Sequence, residues 1–414
     1  MLNVIGLTVA FVLVVFLVRK WGEYGLSMIL GAIIVALFSY QYLPTREIPA
    51  VFWKAVASED TIALTISIVL IGVLANAMKE TGEINGLING LEAKAPAEGR
   101  LILFPAIFGL LPILGGALMS APYIEEGGEK IIVEQHTKTF LNLWFRHIVF
   151  IIYPLSPALI FISEKALGGE IHQIIFIQTP AFLLSLLVGV VPLLKIGRIN
   201  LGRANQEKKE EHTYTQIFVN FIPILVTILL FISLTYFFHV SSFVSFAASV
   251  PLGIAISFLL AKTPERKVEE IVRNGFSMRH ALAVVGVMVF YKTIQSSGLC
   301  DVLGSYVQQS KLPISFLIVA VSFSTGFALG ENFAAAVLSY AILEPIVGVK
   351  PPLPMASLIH ISTLIGHLIS PVHLCVVLSY EYFKPDFGKF YKLYILSALL
   401  ILVIWTLVMT ILLD

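Results

Sequence analysis

Apolar residues run through this chain in long blocks separated by short polar stretches. The blocks fall at 2–18, 25–41, 61–78, 101–119, 139–163, 172–194, 215–238, 243–261, 280–296, 313–329, 355–382 and 390–413. About 20 helical residues cross the hydrocarbon layer of a bilayer, so most blocks predict spanning helices. A polar stretch, Lys195 to Thr213, carries the run Glu207-Lys208-Lys209-Glu210-Glu211 and divides the blocks evenly. The pattern predicts an all-α polytopic membrane protein.

Composition narrows the function classes. Of 414 residues, 57% are hydrophobic and 13% charged, with a mean hydropathy of +0.91. A soluble domain carries about 25% charged residues, so this chain cannot cover a water-facing surface of its size. With 27 basic against 26 acidic residues, there is no basic field for a nucleic acid. Cys300 and Cys375 make neither a disulfide framework nor a zinc-ligand spacing, so neither metal nor cofactor is expected. Leu2–Val18 is followed, not preceded, by Arg19-Lys20, which reads as a retained first span rather than a cleavable signal.

Charge sets the expected orientation. If 195–213 is cytoplasmic and blocks 101–119 and 313–329 do not cross, most of the 27 basic residues, Lys138 and Arg146 among them, lie on the cytoplasmic side. Arg46, Lys54, Lys165, Lys311 and Lys350 stay outside, and Lys292 falls inside a span. That separation follows the positive-inside rule. It implies about ten crossings, two re-entrant hairpins and both termini outside.

The halves also repeat. A shift of 214 positions lays Gly72-Val73 on Gly286-Val287, Gly116 on Gly330, Ile151 on Ile365 and Ser156-Pro157 on Ser370-Pro371. An odd number of crossings per half forces the second copy to insert upside down, the build of secondary transporters. The expected units are 1–194, a linker at 195–214, and 215–414.

The interrupted segments carry the candidate chemistry. Leu101–Leu114, roughly 21 Å of helix at about 1.5 Å per residue, is too short to cross. Gly115-Gly116 permits a reversal, Ser120 an N-cap and Pro122 a first turn, so a hairpin is expected over about 101–132. A second is expected over about 313–345, turning at Gly326 and Gly330, with Asn332 as cap and Phe333–Leu343 returning. Helix N-termini buried this way suit an anion. Helices at 139–163 and 355–382 are broken by Pro154-Leu155-Ser156-Pro157 and Ser370-Pro371. Freed carbonyls there can hold Na⁺, and Ser156, Ser370 and His373 can bind substrate oxygens. Glu331, at the second turn, is a candidate for ion coupling, free to pair with Lys292. Glu125 and Glu126 follow the first turn, lining the cavity or facing cytoplasmic water. His147, His360 and His367 read as packing residues within helices, His373 as either packing or site, and Arg146 as an interfacial anchor.

Inverted halves about a central loop, one hairpin from each side and a broken helix after each hairpin resemble the ion transporter superfamily. That group includes citrate, dicarboxylate, gluconate and arsenite permeases and some Na⁺/H⁺ antiporters. The chain is similar to an uncharacterised prokaryotic branch of it. The Ser-Asn-Thr hairpin signature of the dicarboxylate branch is absent; Met119-Ser120-Ala121 and Glu331-Asn332-Phe333 occupy similar places. The resemblance implies a homodimer in the cytoplasmic membrane, alternating access, and a site at Gly115–Pro122, Gly330–Phe333, Ser156 and Ser370.

Three function classes follow. The first is a Na⁺- or H⁺-driven transporter of a small organic anion; the second is a cation/proton antiporter built on Glu331, Glu125 and Glu126. The third, an intramembrane enzyme using His360, His367, His373 and Glu381, lacks His-Glu-x-x-His, Gly-x-Gly-Asp and Gly-x-Ser-x-Gly, so the chain reads as a non-enzyme.

Overall fold

The computed structural model describes residues 2–21, 23–110, 116–130, 133–196, 214–299, 301–302, 305 and 312–413, with backbone alone for 19, 21, 97, 129, 130, 195 and 196. Residues 111–115, including the Gly115 expected to turn the first hairpin, and nearly all of the central linker lie outside the described residues.

The first half runs α1 (Leu2–Trp21), α2 (Tyr24–Phe38), α3 (Ile48–Val56), α4 (Glu59–Glu80), α5 (Glu83–Lys94), α6 (Ala97–Gly109), α7 (Gly116–Lys130), α8 (Gln135–His147), α9 (Pro157–Leu167) and α10 (Ile171–Ile196). The second runs α11 (Tyr214–Phe237), α12 (Ser242–Leu260), α13 (Glu265–Gly275), α14 (Met278–Ser296), α15 (Ile314–Leu329), α16 (Asn332–Val347), α17 (Leu353–Ile369), α18 (Leu374–Phe383) and α19 (Phe387–Ile411). Among the described residues the chain is all helix and connection, with no strand. Six helical stretches of at least 18 residues among the described residues are long and apolar enough to cross a membrane.

Local chemistry explains where helices start. Ser58 caps α4 by accepting from Thr61 N at 3.3 Å, with Glu59 and Asp60 in the first turn. Asp386 does the same for α19, accepting from Lys389 N at 2.8 Å. The long helices turn apolar side chains outward: Phe176 is 84% and Leu259 74% exposed, a surface that acyl chains can cover and water cannot. Their hydroxyls face inward and bond one turn back, as Thr227 does to Pro223 O and Thr293 to Val289 O.

Short helices α3, α5 and α13 lie where the apolar pattern predicts loops. A search for long apolar runs passes over them because each buries only a narrow stripe. In α13, Ile271 and Gly275 are buried while Glu265, Arg266, Lys267, Glu269 and Glu270 face out; the helix seats on α4, where Asn76 Nδ2 donates to Ile271 O at 2.8 Å.

The element order α6–α10 recurs as α15–α19: two packed arms, a helix, a break, a short helix and a long one. The arms cross their broken helices at glycines. A Cβ on Gly326 would lie 2.1 Å from Thr363 O, one on Gly366 2.2 Å from Phe323 O, and one on Gly109 2.1 Å from Arg146 O. The halves also exchange partners, since α7 packs on α18 and α16 packs on α9. Both proline segments interrupt helices: α8 gives way to a 3-10 turn at Ile148–Ile151 before α9 opens at Pro157, and α17 stops at Ile369 before α18 opens at Leu374. Proline lacks the N–H that would carry the helix through.

Candidate functional site

Both breaks, the N-terminal end of α7 and the turn between α15 and α16 converge on one buried cluster. From α8 come Arg146 and His147, in its last turn; from α17, His367; from the second break and the start of α18, His373 and Cys375. Arg146 and the three histidines are each at most 6% exposed.

Arg146 holds the centre. Its Nη1 donates to Phe108 O of α6, and its guanidinium hydrogen bonds with Cys375. It also lies on the first residue of α7: a Cβ on Gly116 would meet Arg146 Nη2 at 2.4 Å. Gly116 is therefore the residue type that lets the guanidinium reach the backbone there. The interfacial position expected for Arg146 is corrected, and it does not belong to a cytoplasmic loop. Lys138 is likewise no loop residue, because it is buried in a 2.8 Å ion pair with Glu125.

The imidazoles pack face and edge. Ring centroids of His147 and His373 are 4.7 Å apart, those of His367 and His373 3.9 Å, and those of His147 and His367 5.8 Å. The two histidines expected only to pack helices, His147 and His367, thus belong to the cluster; His360 does not, being bound at 3.0 Å to Gln178 Oε1.

The turn of the second hairpin closes one side. Gly330, at φ +62°, ends α15 in the left-handed region, and a Cβ there would lie 2.9 Å from His373 N. Glu331, rather than Asn332, is the N-cap of α16: its two carboxylate oxygens accept from Phe333 N at 3.0 Å and Ala334 N at 2.6 Å. Asn332 is the first helical residue, buried, with Oδ1 unpartnered among the described residues. Lys292 bonds Gln295 Oε1 at 3.2 Å instead of Glu331.

The remaining expected residues divide. Ser370 is buried beside the cluster, where its hydroxyl donates to Phe327 O at 2.5 Å and ties the second break to α15. Ser156 is the buried N-cap residue of α9. Ser120 lies inside α7 rather than at its cap: its hydroxyl donates to Asn142 Oδ1 at 2.5 Å, and Asn142 Nδ2 donates to Ala117 O and to Ser379 Oγ of α18. Pro122 is accordingly within the helix and not in its first turn. Glu125 takes Lys138 and Gln135, while Glu126 is exposed. Neither glutamate belongs to the central cluster.

Residues 2–412 match the profile of a family described as "Protein of unknown function (DUF401)". The chain belongs to that family. No curated protein matches the sequence. Among solved structures, this DUF401 chain is similar to the YdaH transporter of Alcanivorax borkumensis, reported as having an unusual topology: TM-score 0.52, 12% identity, 90% of this chain and 88% of that one covered. At that identity the likeness is one of fold.

Proposed function

We propose that this protein is a secondary active transporter that moves a small organic anion across the cytoplasmic membrane by alternating access, with Na⁺ or H⁺ as the coupling ion. The observation that carries the reading is the buried Arg146 guanidinium lying on the first turn of α7, where the two broken helices meet. A guanidinium fork matches a carboxylate, and a helix N-terminus adds positive partial charge beside it. The YdaH likeness supports transport as the class.

Further observations support the build. The recurrence of α6–α10 as α15–α19, with exchanged contacts between the halves, fits two repeats of inverted topology around a central site. Arms α15 and α16, of 16 residues each, reach roughly 24 Å apiece, short for a crossing and suited to a re-entrant hairpin. Glu331, at its turn, is the coupling candidate, and Ser370 and His373 flank the same space. This arrangement supports the resemblance to the ion transporter superfamily.

Proteoliposomes holding the full-length protein test the reading. Uptake of labelled di- and tricarboxylates and sugar acids should rise with an imposed Na⁺ or H⁺ gradient and fall at least tenfold in Arg146→Lys. Gradient-independent, background-level flux for every anion would sink it, and Na⁺-driven proton movement without anion uptake would replace it by cation/proton antiport.

A further inference from the structure

We propose that His147, His373 and Cys375 bind one thiophilic d10 metal ion, Cu⁺ or Zn²⁺, through two imidazole nitrogens and a thiolate. The inference is independent of the transport reading, because it rests on donor atoms and their orientation and not on flux.

The donors already converge. One ligand atom from each of the three residues lies within 4.8 Å of the others. Metal bonds of about 2.0 Å to nitrogen and 2.3 Å to sulfur bring such donors closer still, a contraction that side-chain rotation can supply. The residues come from the last turn of α8, from the second break and from the first turn of α18, so two elements and the break must be in place before the set exists.

Each ring is held in a tautomer that leaves a lone pair. His147 Nδ1 bonds Leu143 O at 2.6 Å, so its Nε2 carries the lone pair. The His373 ring hydrogen bonds to the backbone of Leu368 and His367, and its Nδ1, in a side chain 3% exposed, has no hydrogen-bond partner among the described residues. Histidine ligands of metals are oriented in this way, with one ring nitrogen tied to a carbonyl and the other on the ion. His367 Nδ1 is also buried and unpartnered among the described residues, and its ring lies 3.9 Å from that of His373. It stands next to the set as a fourth donor, the third nitrogen. A buried lone pair with no donor costs free energy unless something fills the space.

The thiol completes the set. Cys375 hydrogen bonds with His147 and Arg146, and the thiolate is the form of cysteine that a metal takes. Binding breaks the S–H bond and forms the S–metal bond, releasing one proton per ion; both imidazoles enter neutral. Thiolate with imidazole selects Cu⁺ and Zn²⁺ over hard cations such as Mg²⁺ or Ca²⁺.

The full-length protein in detergent, stripped with chelator, is offered Zn²⁺ alone or Cu⁺ alone under reductant. It is then desalted and its metal content measured per chain. One of the two ions should remain at about one per chain, and Cys375→Ser and His373→Ala should each lower affinity at least tenfold against a chromogenic chelator, with Glu126→Gln unchanged. X-ray absorption of loaded wild-type protein should show one sulfur and two or three nitrogen scatterers, a result that does not depend on whether the variants fold. Metal retention no greater than in Cys375→Ser for both ions, or a spectrum with no sulfur scatterer, overturns the assignment.

Discussion

The His367 and His373 rings lie 3.9 Å apart across the Ser370-Pro371 break. A continuous helix would put residues six apart on different faces. Extended backbone at Ser370, at φ −64° and ψ 129°, and the proline after it fold the chain back so that the last turn of α17 and the residue capping α18 meet. The break thus assembles the imidazole cluster. Pro371→Ala should loosen this geometry, lowering the melting temperature and reducing carboxylate flux at least tenfold in the same proteoliposomes; unchanged flux with a lowered melting temperature would make the break a structural kink alone.

Arg146 should tolerate no replacement. Arg146→Lys keeps the charge but loses the planar fork that spans Phe108 O and Cys375. Arg146→Ala leaves buried acceptors without a donor, a cost of about 1–3 kcal/mol per group. Thermal melting should order them wild type, then Lys, then Ala. A melt of Arg146→Ala equal to wild type would show that the guanidinium carries no structural weight.

Gly326→Ala and Gly366→Ala should destabilise by about 1–3 kcal/mol each, because each new methyl would meet backbone, at 2.1 Å and 2.2 Å, where nothing can rotate away. Gly388→Ala is the control. Its methyl would meet only Asp386 Oδ1 at 3.5 Å, and alanine there should be neutral or stabilising by up to about 1 kcal/mol. Equal melting of all three variants would mean that α15 and α17 do not cross this closely.

Ser120 and Glu331 should separate structure from transport. Ser120→Ala removes one bond of the Asn142 network and should cost about 1 kcal/mol with the KM for anion uptake unchanged. Glu331→Gln replaces one of two capping oxygens by a donor facing an N–H. It should lower the melting temperature and uncouple uptake from the ion gradient. A raised KM in Ser120→Ala would return that hydroxyl to the substrate, and intact coupling in Glu331→Gln would leave it a cap only.

Stability should depend on pH through Glu83, which follows the end of α4. Its side chain is 4% exposed, with Oε1 unpartnered among the described residues. Burial pushes its carboxyl above the ordinary 4.5, against hydrogen bonds from Ser257 and Thr81 that pull it down. A raised folded value means the folded state holds the proton more tightly than the unfolded one. Stability from this group is then present below 4.5 and lost as pH rises through the folded value. Glu83→Gln, which keeps an acceptor oxygen, should melt at or above wild type at neutral pH, with the gap closing in acid. A gap that widened in acid would reverse the sign.

Membrane class, the apolar helices and the two proline breaks were legible in the sequence because each depends on local quantities: the length of an apolar run and the missing N–H of a proline. Short helices α3, α5 and α13 were not, since a narrow buried stripe among charges has no signature until a neighbouring span such as α4 covers it. Arg146 was visible as an arginine in the middle of an apolar block, yet whether such a residue reaches water or packs on Gly116 depends on how α6, α7 and α8 cross. The caps went the same way: Ser120 and Asn142 face each other from different helices, and Glu331 outcompeted Asn332 for the first amides of α16 through backbone geometry at Gly330. Composition and periodicity determined that this chain is an all-helical membrane protein with interrupted helices. Only the tertiary structure decided that His147, His367, His373, Cys375 and Arg146 share one buried space, because donors that far apart in sequence meet only after two broken helices and two hairpin ends have packed against one another.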